Sequence, residues 1–422
     1  MRRKLSWPSL WVNTSSRRIT MRKTQPDPSV AFIGQSLKTP FIVVPGGQTT
    51  VIGNIQKYAQ TMARYGWSGV VTKTVALGKS LRPYLWSTGP YRFKAMQNSG
   101  SRFITWDAQM FEKLKKDEEA AHRHGLMILG SISGSTTQEW QQLAVEMQKA
   151  GVDGIELDVS CPSEARPTTE KMSRFFGSDE QRHAEQVISN IRKVFRGPIV
   201  TKLSFHSYDI TGLAKACEEA GASALSAINT IQGLIGIDVN TGVPISSGSR
   251  KNSYRSGISG PIIKPFGLSA VSKICSVTHL PVSGVGGITD WKSVVEYIMA
   301  GATTVQVCTA AMWHGFKLGE TLLNGIKKFM GQQGYHSLQE FRGISLPYFT
   351  SEVPMPQIIK ASIDQKRCKR CGHCFIACRD GAFDAIEKKR GLFKVERNVC
   401  DGCGLCMQLC PAQAIRLDAL PL

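Results

Sequence analysis

The residues best equipped for chemistry are eight cysteines. Cys368, Cys371, Cys374 and Cys378 follow the spacing C-x2-C-x2-C-x3-C, and Cys400, Cys403, Cys406 and Cys410 repeat it. Thiolates at this short spacing wrap one loop around a 4Fe–4S cluster, while the fourth enters a helix and ligates the neighbouring cluster. The expected ligand sets are therefore crossed: Cys368, Cys371, Cys374 and Cys410 for one cluster, Cys400, Cys403, Cys406 and Cys378 for the other. Structural zinc takes two Cys pairs separated by a longer loop and has no use for a fourth cysteine at x3. Disulfide frameworks belong to small secreted chains, whereas the remaining cysteines here are scattered singly. Everything upstream must then give or take electrons.

Further upstream, Gly286-Gly287 and the Cys308-Thr309 step offer unhindered backbone N–H groups to a phosphate. Lys73 and Lys202, each preceded by Thr, are costly in an apolar setting unless they meet an anion. Cys161, between Ser160 and Pro162, is a candidate general acid or base. Cys217, Cys275 and Cys308 read as packed thiols, His206 as a further site candidate, and His122 and His124 as helix surface. No G-x-G-x-x-G follows a strand, so the glycine pair is no dinucleotide fingerprint. Beside iron–sulfur clusters the natural phosphorylated ligand is FMN, which exchanges hydride with a substrate and single electrons with clusters.

These residues need a scaffold, and eight β-branched or apolar runs supply one: 41–44, 69–73, 126–129, 154–158, 199–202, 224–229, 281–284 and 304–307. Amphipathic stretches lie between them, such as 138–150, 184–195, 212–220 and 291–300, with Gly151, Gly221 and Gly301 placed as left-handed caps. Eight βα units predict an α/β fold, a (β/α)8 TIM barrel whose strands are buried on both faces. Lys73, Cys161, Lys202, Gly286 and Thr309 all then fall at or beyond strand C-termini, where barrel chemistry resides. Long connections at 160–181 and 230–261 are expected to shape the mouth. The expected division is a basic extension over 1–28, a barrel over 29–345, a Pro-rich linker over 346–360 and a two-cluster ferredoxin-like module over 361–422.

The formal charge of +20 would suit nucleic acid, but part of the excess sits in the first 28 residues and no RNA-binding motif accompanies it. A basic surface equally serves an acidic redox partner. No run reaches the roughly 18 apolar residues of a membrane span. The Arg- and Ser-rich N-terminus has the composition of an organellar transit peptide, and equally suits an upstream start preceding a natural Met21 or a solvated tail. The expected location is the cytoplasm, or an organelle if that segment is a transit peptide, since cluster assembly needs reduced thiols.

The segments Glu156 to Ser163, Thr72-Lys73-Thr74, Thr201-Lys202-Leu203, Ala227-Ile228-Asn229-Thr230, Ser259-Gly260-Pro261 and Gly286-Gly287-Ile288 together resemble the dihydroorotate dehydrogenase superfamily. The fused ferredoxin module places the chain nearest the dihydropyrimidine dehydrogenases, in particular the bacterial catalytic subunit. The resemblance implies FMN held by Lys73, Lys202, Ser259, Gly260, Gly286, Gly287, Cys308 and Thr309, with Asn229 and Thr230 at the substrate. It implies that Cys161 protonates one carbon of an activated C=C bond while hydride reaches the other. It also implies electron supply by a separate NAD(P)H-oxidising FAD and iron–sulfur subunit, or by ferredoxin or flavodoxin, and an oligomeric enzyme.

Two positions depart from the family pattern. Asp158 stands where an Asn precedes Ser-Cys-Pro, and Ala95 stands at another substrate-binding Asn. Two amides able to pair with a uracil edge are thereby replaced by an acceptor and a methyl group. The leading expectation is an FMN- and 4Fe–4S-dependent oxidoreductase reducing, or reversibly forming, a C=C bond conjugated to a carbonyl. Its rivals are a related flavin reductase of a non-pyrimidine substrate, an electron-transfer subunit, and an enzyme resembling the tRNA dihydrouridine synthases.

Overall fold

The structure, a computed structural model, describes residues 26–46, 50–77, 86–88, 95–98, 104–159, 179–245, 255–349 and 358–420. It divides into two compact units, Met1–Leu346 and Pro347–Leu422.

The first unit is the expected barrel. Its strands are β1 (Phe41–Val43), β2 (Gly69–Val71), β3 (Met127–Ile132), β4 (Gly154–Leu157), β5 (Ile199–Leu203), β6 (Ala224–Ala227), β7 (Val282–Val285) and β8 (Thr304–Val307). Each pairs in parallel with the next, and β8 returns to β1 with Val305 opposite Phe41, which closes the ring. Period-two alternation sorts the side chains: Phe41 and Val43 join the layer beneath the helices, while Ile42 and Val44 point inward. An N-terminal hairpin that the sequence reading did not anticipate, Val30–Phe32 paired with Gln35–Leu37, packs Phe32 and Leu37 against Ile42, Val71, Met127 and Val200. Burying two such side chains stabilises by roughly 2 kcal/mol each and plugs one end of the barrel.

The outer layer is α1 (Ile55–Arg64), α2 (Ala108–Arg123), α3 (Thr137–Lys149), α4 (Glu180–Arg192), α5 (Ile210–Glu219), α6 (Lys264–Cys275), α7 (Trp291–Met299), α8 (Thr309–His314) and α9 (Leu318–Gln333). Side-chain caps start several of them: Asp107, Thr136, Asp209 and Asp290 accept from backbone N–H groups of α2, α3, α5 and α7. Gly151, Gly221 and Gly301 end α3, α5 and α7 at φ of 85°, 95° and 107°. Helix α1 is capped from outside: buried Asp117 of α2 accepts from Gly53 N at 2.5 Å and Gln56 N at 3.0 Å. Burial outweighs those hydrogen bonds and pushes the Asp117 carboxyl up to about 6.

The connections after β2 and β6 meet in a small antiparallel sheet, in the order 231–233, 256–259, 96–98, 86–88. Gln97, fully buried, staples it by donating to Gly233 O at 2.8 Å and accepting from Ile235 N at 2.7 Å. Strands this short, assembled from two distant loops, leave no periodic signal in the sequence.

The second unit closes on itself through β9 (Ile358–Ile363) and β12 (Ile415–Leu420), paired antiparallel, with the hairpin β10 (Ile386–Lys389) and β11 (Leu392–Val395) between them. Its two Cys runs lead into α10 (His373–Asp380) and α11 (Leu405–Gln408), entered through left-handed Gly372 and Gly404.

Candidate active site

At the C-terminal ends of the barrel strands lies an open cleft of about 970 Å³. All eight residues expected to hold a cofactor line it: Lys73, Lys202, Ser259, Gly260, Gly286, Gly287, Cys308 and Thr309. Asp158, Asn229 and Thr230 line it too. Ala95 does not; it is buried just ahead of the 96–98 strand. Cys161 lies outside the described residues. His206, beyond β5, accepts from Gln232 N through Nε2 at 2.9 Å and so anchors the small sheet rather than the cleft. Burial lowers its pKa, which keeps the accepting nitrogen unprotonated.

The cleft floor is one hydrogen-bonded network. Lys202 Nζ donates to Glu156 Oε1 at 3.2 Å, and Glu156 Oε2 accepts from Ser226 Oγ at 3.0 Å and Gln306 Nε2 at 2.9 Å. Glu156 is fully buried, and its two oxygens are satisfied by those three donors. For Lys202, desolvation alone would lower the pKa; the charges of Glu156 and then Asp158 outweigh it and hold the ammonium above its ordinary value. With Gln306 Nε2 committed to Glu156, the other end of that amide is fixed as well. Gln306 Oε1 is a buried acceptor in the wall of the cleft with no partner among the described residues, a position an N–H of a bound heterocycle would complete.

Asp158 occupies the next layer. Its Oδ1 accepts from Asn229 Nδ2 at 3.0 Å, and its Oδ2 from Thr74 Oγ1 at 3.4 Å. Asn229 Oδ1 in turn accepts from Thr230 N at 2.8 Å.

The glycine pair is built for close approach. Gly286 and Gly287 have φ of 120° and 69°, and a Cβ on Gly287 would stand 2.6 Å from Lys264 Cβ and 2.7 Å from its backbone N. Tyr297 of α7 fixes this turn from behind, donating to Gly286 O at 2.7 Å, and burial raises its pKa so that the phenol stays a donor. Gly267 and Gly284 make room for the ring; a Cβ on either would stand 2.0 Å or 2.5 Å from Tyr297 atoms. Across the cleft Thr309 Oγ1 donates to Ser259 Oγ at 2.9 Å, which ties the start of α8 to the small sheet. Tyr297, Glu156 and Gln306 escaped the sequence reading because each sits in an apolar run and looks like packing. Glu156 alone left a trace, as an acid inside a buried strand.

These residues fit FMN: a glycine turn for phosphate, two lysines for an anionic ring system, and an acceptor awaiting an N–H.

The second unit presents two cavities. One, of about 380 Å³, is lined by Cys378, Cys400, Cys403 and Cys406; the other, of about 320 Å³, by Cys368, Cys371, Cys374 and Cys410. Each combines three cysteines of one run with the last of the other, the crossed grouping expected from the spacing. Backbone N–H groups of Ala361 and Gly402 approach Cys400 Sγ at 3.5 and 3.4 Å, and those of Ala385 and Ala414 approach Cys378 and Cys410 Sγ at 3.3 Å. Burial, then the neighbouring Cys403 and Cys400, pushes the Cys406 thiol up to about 11. Four thiolates facing one small cavity are stabilised together by a cationic core, and an iron–sulfur cluster fits that need.

A flavin cleft at a barrel mouth and a two-cluster module in one chain define an iron–sulfur flavoprotein oxidoreductase. The dihydroorotate dehydrogenase family matches residues 29–330 and the 4Fe–4S dicluster domain matches residues 361–417. The chain belongs to the dihydroorotate dehydrogenase family, and it is an FMN- and 4Fe–4S-dependent oxidoreductase acting on CH–CH bonds. It is 30% identical over 410 residues to the NAD-dependent dihydropyrimidine dehydrogenase subunit PreA of Escherichia coli strain K12, covering 93% of this chain and 95% of the relative. It is 28% identical to the chloroplastic dihydropyrimidine dehydrogenase (NADP(+)) of Arabidopsis thaliana over 83% of this chain and 84% of that one. It is 31% identical to the dihydroorotate dehydrogenase B (NAD(+)) catalytic subunit of Pyrococcus horikoshii over 75% of this chain and 97% of the relative. Among the described residues no helix is long and apolar enough to cross a membrane.

Proposed function

We propose that this enzyme reduces, or in reverse forms, the C=C bond of a dihydropyrimidine-type substrate. The observation that carries the reading is the gathering of all eight expected cofactor residues with Asp158, Asn229 and Thr230 on one cleft. In this reading Gly286, Gly287 and Thr309 take the phosphate, Ser259 and Gly260 close over it, and Lys73 and Lys202 face the ring system. When bound, FMN supplies hydride to a substrate carbon and accepts electrons one at a time. Glu156 and Gln306 hold Lys202 in place, Asn229 and Thr230 orient the substrate, and Cys161 delivers the proton to the second carbon. The proposed domain limits are 29–345 for the barrel and 361–422 for the cluster module, joined by 346–360 and preceded by the extension 1–28. The proposed electron source is a separate NAD(P)H-oxidising FAD and iron–sulfur subunit, or a ferredoxin or flavodoxin, within an oligomeric cytoplasmic enzyme. The relative's name, which makes it a subunit, supports that partner.

The test is anaerobic reoxidation of the chemically reduced protein by uracil, thymine and other conjugated lactams. Cys161→Ala should keep FMN and slow reoxidation by roughly 10²–10⁴-fold. Reoxidation at wild-type rate would remove Cys161 from the chemistry and turn the barrel into an electron relay.

A second reading, a conjugated acid or lactam outside the pyrimidines, is favoured by the Asp158–Asn229 hydrogen bond. That bond engages an amide otherwise available to a uracil edge. The same substrate panel separates the two.

A further inference from the structure

The two Cys loops are copies in spacing but opposites in surface. Between Lys366 and His373 the chain carries Lys366, Arg367, Lys369 and Arg370, all exposed, with exposed His373 and no acid. Between Asn398 and Pro411 the only charged residue is Asp401, and the exposed neighbours are Val399, Leu405, Met407 and Leu409. Among the described residues the ion pairs of this unit are made elsewhere, by Arg379 with Asp380, Lys389 with Glu387, and Arg397 and Arg416 with Asp418. Asp364, just ahead of the basic loop, uses Oδ1 to accept from Lys366 N at 2.9 Å.

Superposing the repeats by sequence sets Lys369-Arg370 against Asp401-Gly402, between the first and second cysteine of each run. Gly402 has φ of 73°, and a Cβ there would meet Ile359 O at 2.2 Å. Arg370 adopts the same left-handed backbone, φ 57°, without being glycine. A side chain costs conformational energy there. The second loop shows that the module builds this turn with glycine. The first loop holds a cation on it instead, beside exposed Cys371, a ligand of the cavity shared with Cys368, Cys374 and Cys410.

We propose that the Cys371 loop is the docking site of an acidic one-electron carrier protein, and that the cluster held by Cys368, Cys371, Cys374 and Cys410 is where electrons pass between that carrier and this chain. One electron leaves the reduced centre of the carrier, which is oxidised, and reduces the cluster; no proton or bond is exchanged. The proposal rests on the reading that the eight cysteines hold two clusters. Four clustered cations draw an acidic protein to this edge and align it before transfer. The loop around Cys403, whose one charge is Asp401, offers an acidic partner no attraction.

The test is stopped-flow reduction of the oxidised holoenzyme, under anaerobic conditions, by two donors: a reduced acidic 2Fe–2S ferredoxin and reduced methyl viologen. With wild-type protein the ferredoxin rate should fall about tenfold between about 20 and 200 mM salt. Lys369→Glu combined with Arg370→Gly should lower the low-salt ferredoxin rate about tenfold and flatten its salt dependence. The viologen rate should hold. Arg370→Gly also relieves the backbone, so this variant should fold. Leu409→Gln, on the other loop, should leave the ferredoxin rate unchanged. An unchanged ferredoxin rate in the double variant overturns the proposal. So does an equal loss with both donors, which would place the effect in the cluster, or a loss in Leu409→Gln alone. Wild-type protein that binds no iron would instead defeat the cluster reading, and the absence of visible absorbance would show it.

Discussion

Asn229 Nδ2 donates to Asp158 Oδ1 across 3.0 Å, so two side chains from the ends of different strands satisfy each other inside the cleft. An asparagine at 158 could offer Asn229 an acceptor and keep a donor for a ring carbonyl; the carboxyl group can only accept.

Asp158→Asn is therefore expected to raise kcat/KM for uracil or thymine by roughly tenfold or more, the worth of one well-placed hydrogen bond. The check is the substrate panel run on wild type and variant with FMN content matched. No gain in a variant that retains FMN would show that Asp158 does not set the preference.

Lys202 and Glu156 should behave as one unit. Glu156→Gln leaves the ammonium with less counter-charge in a buried place, so its pKa falls and the fold loses about 3–5 kcal/mol. Lys202→Met in the same chain should recover a good part of that loss. Denaturant unfolding of the two single variants and the double variant measures the coupling; strictly additive losses would mean the two side chains act separately.

Asp117 gives stability a pH dependence of unusual sign for a carboxylate. Its folded pKa, about 6, lies above the unfolded value near 3.8, so the native state binds the proton more tightly. The contribution is complete below about pH 4 and is lost as pH rises through 6, for a total of order 3 kcal/mol. Subtracting the stability–pH curve of Asp117→Asn from that of the wild type should isolate this slope between pH 4 and 6. A flat difference would place the proton elsewhere.

Gly287→Ala puts a Cβ 2.6 Å from Lys264 Cβ at a left-handed φ, at a cost of about 1–3 kcal/mol. Because the same turn is the proposed phosphate seat, FMN released per chain on denaturation should fall to well under half of the wild-type amount. Full occupancy would move the phosphate elsewhere.

Cys410→Ser should lower bound iron from about eight to about four atoms per chain. The electron paramagnetic resonance signal that survives should match that of Cys368→Ser rather than that of Cys406→Ser, since Cys410 and Cys368 line the same cavity. The opposite match would uncross the ligand sets.

The barrel was legible in the sequence because parallel strands buried on both faces are written as apolar runs and their helices as 3.6-residue stripes. The crossed grouping of the cysteines around two cavities was legible for a different reason: the x2 and x3 spacings are themselves geometric constraints. What the sequence concealed depends on long-range pairing. Gln97 reaches Gly233 and Ile235, Glu156 meets Lys202, Ser226 and Gln306, and Tyr297 holds Gly286. Gln97 and Glu156 are satisfied by partners far along the chain and Tyr297 by a turn one helix back, and no local pattern marks any of them. His206 drew attention as an ionisable group near a strand end; its role is to accept one backbone hydrogen bond.

The seam where β8 meets β1 also orders events in time. Val44 N donates to Val307 O, and Cys308 Sγ lies 3.8 Å from Pro45 O, so the cleft is walled by the first and last strands of the barrel. During synthesis the flavin seat cannot exist until the ribosome has released the segment through Ala310, and until then the earlier strands wait with an open edge. The cysteines emerge later still. The two sites are thus completed in order along the chain, the barrel cleft first and the cysteine cavities after it.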